Sequence, residues 1–358
     1  MGKLGTTLQL TGFRRFATST FEVPSPTVII GPNGVGKTTI LEALYYLSLG
    51  RSYRTSTDRD MIGWETDTAR LKVTFSTGLA VERAISTFGG TVTKQSSTNG
   101  VPTTPLKSLG QFHVVLFAPE LIALIMGPPS GRRRYLDMLL AATDIQYAEA
   151  LLRYQHALRQ RNALLGLPQS SSSSFDIWEQ LLVDAGSLLM QKRTALVSVL
   201  AGAVQPAFDI LEDVARARTV ELRYQPSADA VRYEELLASS RERDRRSNGT
   251  SVGPHRDELL MMLGGRPMSF ASRGEQRSLL IALKQAELTL FGAHELEIQP
   301  FLLLDDLFSE LDRNRSSQLT SLLHSYPTIV TTTDATLLDD RLRDEATILD
   351  LTKLPVAA

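Results

Sequence analysis

The sequence predicts an α/β fold in which a mixed sheet and an antiparallel β-meander carry an inserted, mainly helical lobe. Three observations carry that prediction. Near the N-terminus a short apolar run leads into a glycine-rich turn and a helical pattern. Near the other end a second apolar run stops at two adjacent aspartates. Between them apolar residues recur at helical spacing over most of the length.

Taken in order, Thr6-Thr-Leu-Gln-Leu-Thr-Gly alternates as a first strand, and Val28-Ile29-Ile30 reads as a buried one. Gly31-Pro32-Asn33-Gly34-Val35-Gly36-Lys37-Thr38 then fits the phosphate-binding pattern G-x-x-x-x-G-K-[ST]. From Thr39 the apolar residues take helical spacing until Gly50 stops them. A strand, a glycine turn and a helix N-terminus present successive backbone N–H groups and a positive dipole end to anionic oxygens. Lys37 would reach the β/γ-phosphates of ATP, and the Thr38 hydroxyl would help to hold Mg²⁺. A chance match in an ordinary glycine-rich loop is the plain alternative, and the agreement of strand, turn and helix argues against it.

Alternating stretches from 71 to 101, with turn signals at Gly89-Gly90 and Asn99-Gly100, read as the meander. The pattern is helical from about 121 to 238. One helix covers 147–161, a turn follows at Gly166-Leu-Pro168, the serine run 170–174 reads as a solvated loop, and a second helix covers about 177–200. That is an αα-hairpin with a flexible tip, too short for a long coiled-coil arm. Phe301-Leu-Leu-Leu then ends in Asp305-Asp306, a Walker B pattern in which the first carboxylate joins the Mg²⁺ shell. Asp306 would orient or deprotonate the attacking water, with the short reach of an Asp and therefore slow hydrolysis. Because Lys37 and Asp305 lie near opposite ends of the chain, the sheet must be assembled from both. The expected division is 1–117 and 251–358 as two parts of an ATPase head, with 118–250 as the helical lobe.

Composition limits the alternatives. The 358 residues suffice for one large domain or two ordinary ones. With 38 basic against 39 acidic side chains the net charge is −1, so nucleic-acid binding would need local basic patches such as 131–134 or 241–246, or Arg14, Arg15, Arg51, Arg54 and Lys3 near the head. The absence of cysteine removes disulfides, thiol catalysis and thiolate metal sites, and fits a reducing cytoplasm. The five histidines show no metal-binding spacing, and no nucleophile elbow occurs. No uninterrupted apolar run approaches the roughly 20 residues that span a bilayer, so no membrane association is expected. Pro254-His255-Arg256-Asp257 is no kinase catalytic loop, since its other parts are missing; packing or a place near the nucleotide remain open for it.

Ser272-Arg-Gly274-Glu-Gln276, ahead of an amphipathic helix at 277–291, resembles the signature of ABC-type ATPases, Ser-x-Gly-x-Gln. In that superfamily the signature meets the γ-phosphate held by the opposite subunit. The resemblance therefore implies that Ser272, Gly274 and Gln276 act in trans and that ATP joins two heads. Ser309-Glu-Leu-Asp312 resembles the D-loop of the same superfamily, and Thr331-Thr-Thr-Asp334 stands at its switch position without the usual His. A bond to γ-phosphate or water, or a plain turn, both remain open there.

Several segments together resemble the RecF family of bacterial recombination mediators, relatives of the SMC-type heads. They are Gly50-Arg-Ser-Tyr-Arg-Thr55, Pro119-Glu120 with Gly127, Pro129 and Arg132-Arg-Arg-Tyr-Leu-Asp137, 161–165, Val252-Gly-Pro-His-Arg-Asp257, and 303–312. Pro128 and Tyr53 depart from the family pattern, the latter where His is common. The resemblance implies an ABC-type P-loop ATPase head with weak, DNA-stimulated hydrolysis. It also implies an ATP-dependent homodimer on duplex DNA near single-strand/duplex junctions, and RecR and RecO as partners in loading RecA at gaps during replication, repair, recombination and the SOS response. A scaffold gated by ATP, with hydrolysis of little consequence, is the competing expectation. A transporter subunit is disfavoured by the missing switch His and the helical insert.

Overall fold

The computed structural model describes residues 4–167, 172–212, 218–293, 298–307, 319–320, 322–323, 325–334, 338 and 340–353. Packing divides the chain into two compact units, Met1–Leu121 with Glu287–Ala358, and Ile122–Ala286. The division at 286/287 groups 251–286, which the sequence reading assigns to the head, with the second unit. The D-loop-like segment 309–312 lies outside the described residues.

In the first unit an antiparallel sheet is ordered β2-β1-β4-β5-β6-β7. Its strands are β1 (Thr6–Phe13), β2 (Phe16–Glu22), β4 (Thr68–Phe75), β5 (Ala80–Phe88), β6 (Thr91–Thr98) and β7 (Val101–Thr103). Alternation sets its inner face: Ala69, Leu71, Val73 and Phe75 are buried while Thr68 and Arg70 are exposed. The hairpin loops at Gly89-Gly90 and Asn99-Gly100 all take positive φ, the geometry that two-residue hairpins demand.

The second sheet of this unit is parallel, ordered β14-β3-β13-β12-β8. It joins β3 (Thr27–Ile30) and β8 (Val114–Phe117) from the first third of the sequence to β12 (Phe301–Asp305), β13 (Thr328–Thr332) and β14 (Thr347–Asp350) from the end. The sheet is thus built from both ends of the chain. Four of these strands are buried almost throughout, β3, β8 and β12 with mainly apolar residues and β13 with three threonines, as a sheet covered on both faces requires. Helix α1 (Lys37–Leu49) buries almost every side chain, and Gly50 ends it in the left-handed conformation with its N–H on the Tyr46 carbonyl. Phe75 of the meander meets Phe112 and Phe301, with ring centroids 5.1 and 5.6 Å away, so the two sheets share one core.

The second unit contains α2 (Ala123–Met126), α3 (Pro129–Thr143), α4 (Ile145–Leu165), α5 (Ser172–Leu211), α6 (Tyr233–Ser247) and most of α7 (Arg273–Gly292). Asp144 caps α4 by accepting the N–H groups of Gln146 and Tyr147 at 2.9 and 3.1 Å. The hairpin of α4 and α5 is present, but α5 starts earlier and ends later than its apolar spacing indicated. Ser172–Ser174, read as loop, form its first turn. By length and composition α5 also passes as apolar enough to cross a membrane, with mean hydropathy 1.6 in its richest stretch, although charged residues interrupt it as the sequence reading expects. Here its Leu182, Leu189, Leu200 and Val204 are fully buried in the unit. A three-stranded antiparallel sheet joins β9 (Val220–Gln225), which interrupts the expected helical run, to β10 (Glu258–Leu263) and β11 (Arg266–Pro267) beyond it. The buried Val220, Leu222 and Tyr224 alternate with exposed neighbours, a period-2 signal too brief to stand out beside long helices.

Candidate functional site

The phosphate-binding loop joins β3 to α1. Gly31, Gly34 and Gly36 have φ of 151°, 80° and 112°, which a side chain would resist. A Cβ on Gly36 would stand 2.7 Å from the Phe16 ring, and one on Gly31 2.9 Å from Val35 Cγ1. Pro32, Asn33 and Gly34 form the exposed crest of the loop, Val35 is half-buried, and Thr39 is buried in the first turn of α1. No side chain caps α1, and the Thr39 and Ile40 N–H groups go to the Gly36 carbonyl, so it is those of Lys37 and Thr38 that face an anion at the helix start. Lys37 Nζ donates to the Gly31 and Pro32 carbonyls at 2.7 and 3.2 Å, folded over the loop it serves. Burial lowers the Lys37 pKa, and the neighbouring Asp306 and Asp305 oppose that shift.

Asp305 ends β12, and one strand, β13, separates β12 from β3. All run parallel, so the loop and Asp305 emerge at the same edge of the sheet, the carboxyl ends where α/β sheets bind ligands. The Thr38 hydroxyl donates to Asp305 Oδ1 at 2.9 Å, and Thr331 donates to the same oxygen at 2.8 Å. The Tyr53 hydroxyl donates to Oδ2 at 3.0 Å. Burial and the adjacent Asp305 carboxylate push the Tyr53 phenol well up, so it stays a donor. A hydroxyl and a carboxylate together are hard oxygen donors that suit Mg²⁺. Among the described residues no group of three or more His, Cys, Asp or Glu gathers.

Asp306 has φ 48°, an uncommon conformation for a residue with a side chain. Its N–H lies 3.2 Å from the Thr331 carbonyl and 3.1 Å from the Thr331 hydroxyl. Thr331 therefore fixes both aspartates. Thr331, buried on β13, fits neither opening left for 331–334, since its hydroxyl goes to Asp305 of the adjacent Walker B strand, while Thr332 and Asp334 close a small turn on each other.

Sequence reasoning missed a further layer. Glu42 of α1 has no exposed surface and accepts two bonds from Arg14, at 3.0 and 2.6 Å, one from Arg54 at 3.3 Å and one from Ser52. Arg15, next to Arg14, donates to the Gly34 carbonyl of the phosphate loop. The available signal was a lone Glu inside an otherwise apolar helix, Ile40-Leu-Glu-Ala-Leu44.

The signature segment lies in the second unit. Ser272 and Glu275 form a reciprocal capping box at the start of α7: the Ser272 N–H and hydroxyl both reach Glu275 Oε2 at 2.8 Å, and the Glu275 N–H returns to Ser272 Oγ at 3.3 Å. Ser272 is exposed and Gly274 half-buried, whereas Gln276 is buried, its amide donating to the Ala271 carbonyl at 3.0 Å and the Met268 carbonyl at 3.3 Å. Gln276 thus braces the turn that presents Ser272. Two basic clusters are largely committed within this unit. Arg132 pairs with Glu258 at 2.7 Å, Arg133 donates to the Asp257 carbonyl at 2.8 Å, and Arg241 binds Asp176 and Glu179. Arg134, Arg243, Arg246 and Arg256 remain exposed.

The family model described as RecF/RecN/SMC N terminal domain matches residues 6–343. A curated protein named DNA replication and repair protein RecF, from Geobacillus thermodenitrificans (strain NG80-2), is 34% identical over 376 residues, 99% of each chain. Its namesake from Symbiobacterium thermophilum is 37% identical over 345 residues, covering 92% of this chain and 91% of that one. A solved structure described as the recombination mediator protein RecF-ATP in the RecFOR pathway superposes with a TM-score of 0.83 at 25% identity, covering 92% and 94%. A Pyrococcus furiosus Smc head domain with an extended coiled coil matches in fold at a TM-score of 0.52 and 16% identity, covering 98% of this chain and 93% of that one. With the phosphate loop and the Walker B aspartate joined at one sheet edge, and with likeness along the full length, the chain has the ABC-type P-loop ATPase head fold and belongs to the RecF family.

Proposed function

We propose that the protein is an ATP-dependent recombination mediator which dimerises when it binds ATP, sits on duplex DNA at single-strand gaps, and helps to load RecA there. The observation that carries this reading is the 2.9 Å bond between Thr38 Oγ1 and Asp305 Oδ1, which brings the Mg²⁺-binding oxygens of both Walker motifs together at the phosphate loop. Lys37 and the N–H groups of the 31–39 loop, Pro32 having none, bind the phosphates, Thr38 and Asp305 hold Mg²⁺, and Asp306 positions the attacking water. Ser272, exposed at the N-terminus of α7, turns its hydroxyl from Glu275 to the γ-phosphate of a second copy when the two heads meet, and the Gly274 N–H joins it there. In this role 251–358 works as the C-terminal part of the head and 118–250 as the lobe. RecR and RecO are the expected partners, by family.

Hydrolysis is slow and resets the dimer, because Asp306 has one methylene less than a Glu at that position. DNA binding draws on a few arginines and phosphates, so it is independent of sequence and sensitive to salt. The test is binding to gapped and to plain duplex DNA, with and without ATP, over a series of salt concentrations. Tighter binding to gapped DNA that requires ATP and weakens as salt rises supports the reading. Binding that ignores ATP, or no preference for the gap, overturns it.

A further inference from the structure

We infer that Tyr53 is a positioning residue which sets the Asp305 carboxylate for the metal ion. The inference rests on the reading of Thr38 and Asp305 as the Mg²⁺ pair. Three hydroxyls share the Asp305 carboxylate, and they divide it unevenly. Thr38 and Thr331 both donate to Oδ1, at 2.9 and 2.8 Å, while Tyr53 donates to Oδ2 at 3.0 Å. Donors on both oxygens fix the plane of the carboxylate as well as its place. All three are neutral, so they orient the group without cancelling the charge that a cation would use.

The loop that carries Tyr53 is pinned on either side of it. Ser52 and Arg54 both bond Glu42, a fully buried residue of α1. The Tyr53 ring packs edge-on against Tyr45 of the same helix, with centroids 5.2 Å apart and planes at 73°. Its backbone and ring therefore belong to the phosphate-loop helix, and its hydroxyl belongs to the Walker B strand. One side chain thus sets the spacing between the two elements that supply the metal's oxygens. Residues 53 and 305 are 252 positions apart in sequence, which is why no local pattern announces the pair.

Tyr53→Phe removes the hydroxyl and keeps the ring on Tyr45, so the full chain carries the test. Anisotropy of a fluorescent ATP analogue is measured on the wild type and the variant while Mg²⁺ is titrated, and again in EDTA. Loss of such an outer hydrogen bond typically weakens a metal site by about 10–100-fold. The expected result is a Mg²⁺ half-saturation point raised by about tenfold, with affinity for the metal-free analogue unchanged within about twofold. An unchanged Mg²⁺ requirement overturns the inference. So does a loss of affinity as large in EDTA as in Mg²⁺, since that marks a general structural role. A wild-type chain that binds no analogue under either condition overturns the ATP reading itself, which is a separate outcome.

Discussion

At the scale of single residues the site depends on a few polar atoms held with little freedom. Asp306 is one of them, because its left-handed backbone fixes where its side chain starts. Asn tolerates that conformation better than most residues, so Asp306→Asn removes a charge without straining the turn. The variant is expected to bind ATP as the wild type does and to hydrolyse it about 10²–10⁴-fold more slowly, the usual contribution of a positioned base. Single-turnover hydrolysis beside a nucleotide titration measures both, and full activity in the variant would remove Asp306 from the role. The phosphate loop could be read from sequence residue by residue, because every one of its constraints is local: the glycine conformations, the Lys and the helix start. Tyr53 and Glu42 could not. Their partners stand far away in the sequence, and one hydroxyl in a loop looks like any other.

At the scale of elements, α4, α5 and α6 are held together by a buried charge network. Arg161 has no exposed surface and donates to Glu179 at 3.0 Å, Asp244 at 2.8 Å and Thr250 at 2.8 Å. Breaking a buried pair by removing one partner costs about 3–5 kcal/mol. Arg161→Met is expected to lower stability by that order in urea unfolding, and a change under about 1 kcal/mol would show that the network is not a structural centre. His255 adds a pH dependence to the same unit. Its Nε2 lies 2.8 Å from the Thr250 carbonyl and its Nδ1 2.6 Å from the Tyr154 hydroxyl, an arrangement that suits the neutral ring. Burial, together with Arg256, Arg133 and Arg161, lowers its pKa from 6.5 to about 4. Between those two values the unfolded chain takes up a proton that the folded chain refuses, so stability rises with pH across the window and is lost as pH falls through it. The amount at stake is on the order of 3 kcal/mol. The urea midpoint is expected to fall from pH 6.5 to 4 in the wild type and to fall less in His255→Gln; equal slopes would contradict this. The helices themselves were legible because their apolar spacing persists over many turns. The strand β9 and the first turn of α5 were not, since the former is six residues of alternation and the latter is serine, which loops and helix starts both favour.

At the scale of the whole molecule, the sequence already implied a sheet assembled from both ends, because the two halves of the nucleotide site stand at opposite ends of the chain. The parallel order β14-β3-β13-β12-β8 realises that requirement. The grouping of 251–286 with the helical unit was not legible, since it depends on which surfaces the segment packs against and not on its own pattern. In the proposed function the exposed Ser272 at the start of α7 serves the γ-phosphate held by a second copy of the chain. Molecular mass in solution distinguishes the ATP-bound dimer from a monomer, using Asp306→Asn to hold ATP unhydrolysed and Lys37→Ala as the non-binding control. The expected result is a dimer of Asp306→Asn with ATP and Mg²⁺, a monomer without nucleotide, and a monomer of Lys37→Ala under every condition. A monomer of Asp306→Asn at saturating ATP, or a dimer that forms equally well without nucleotide, would contradict it.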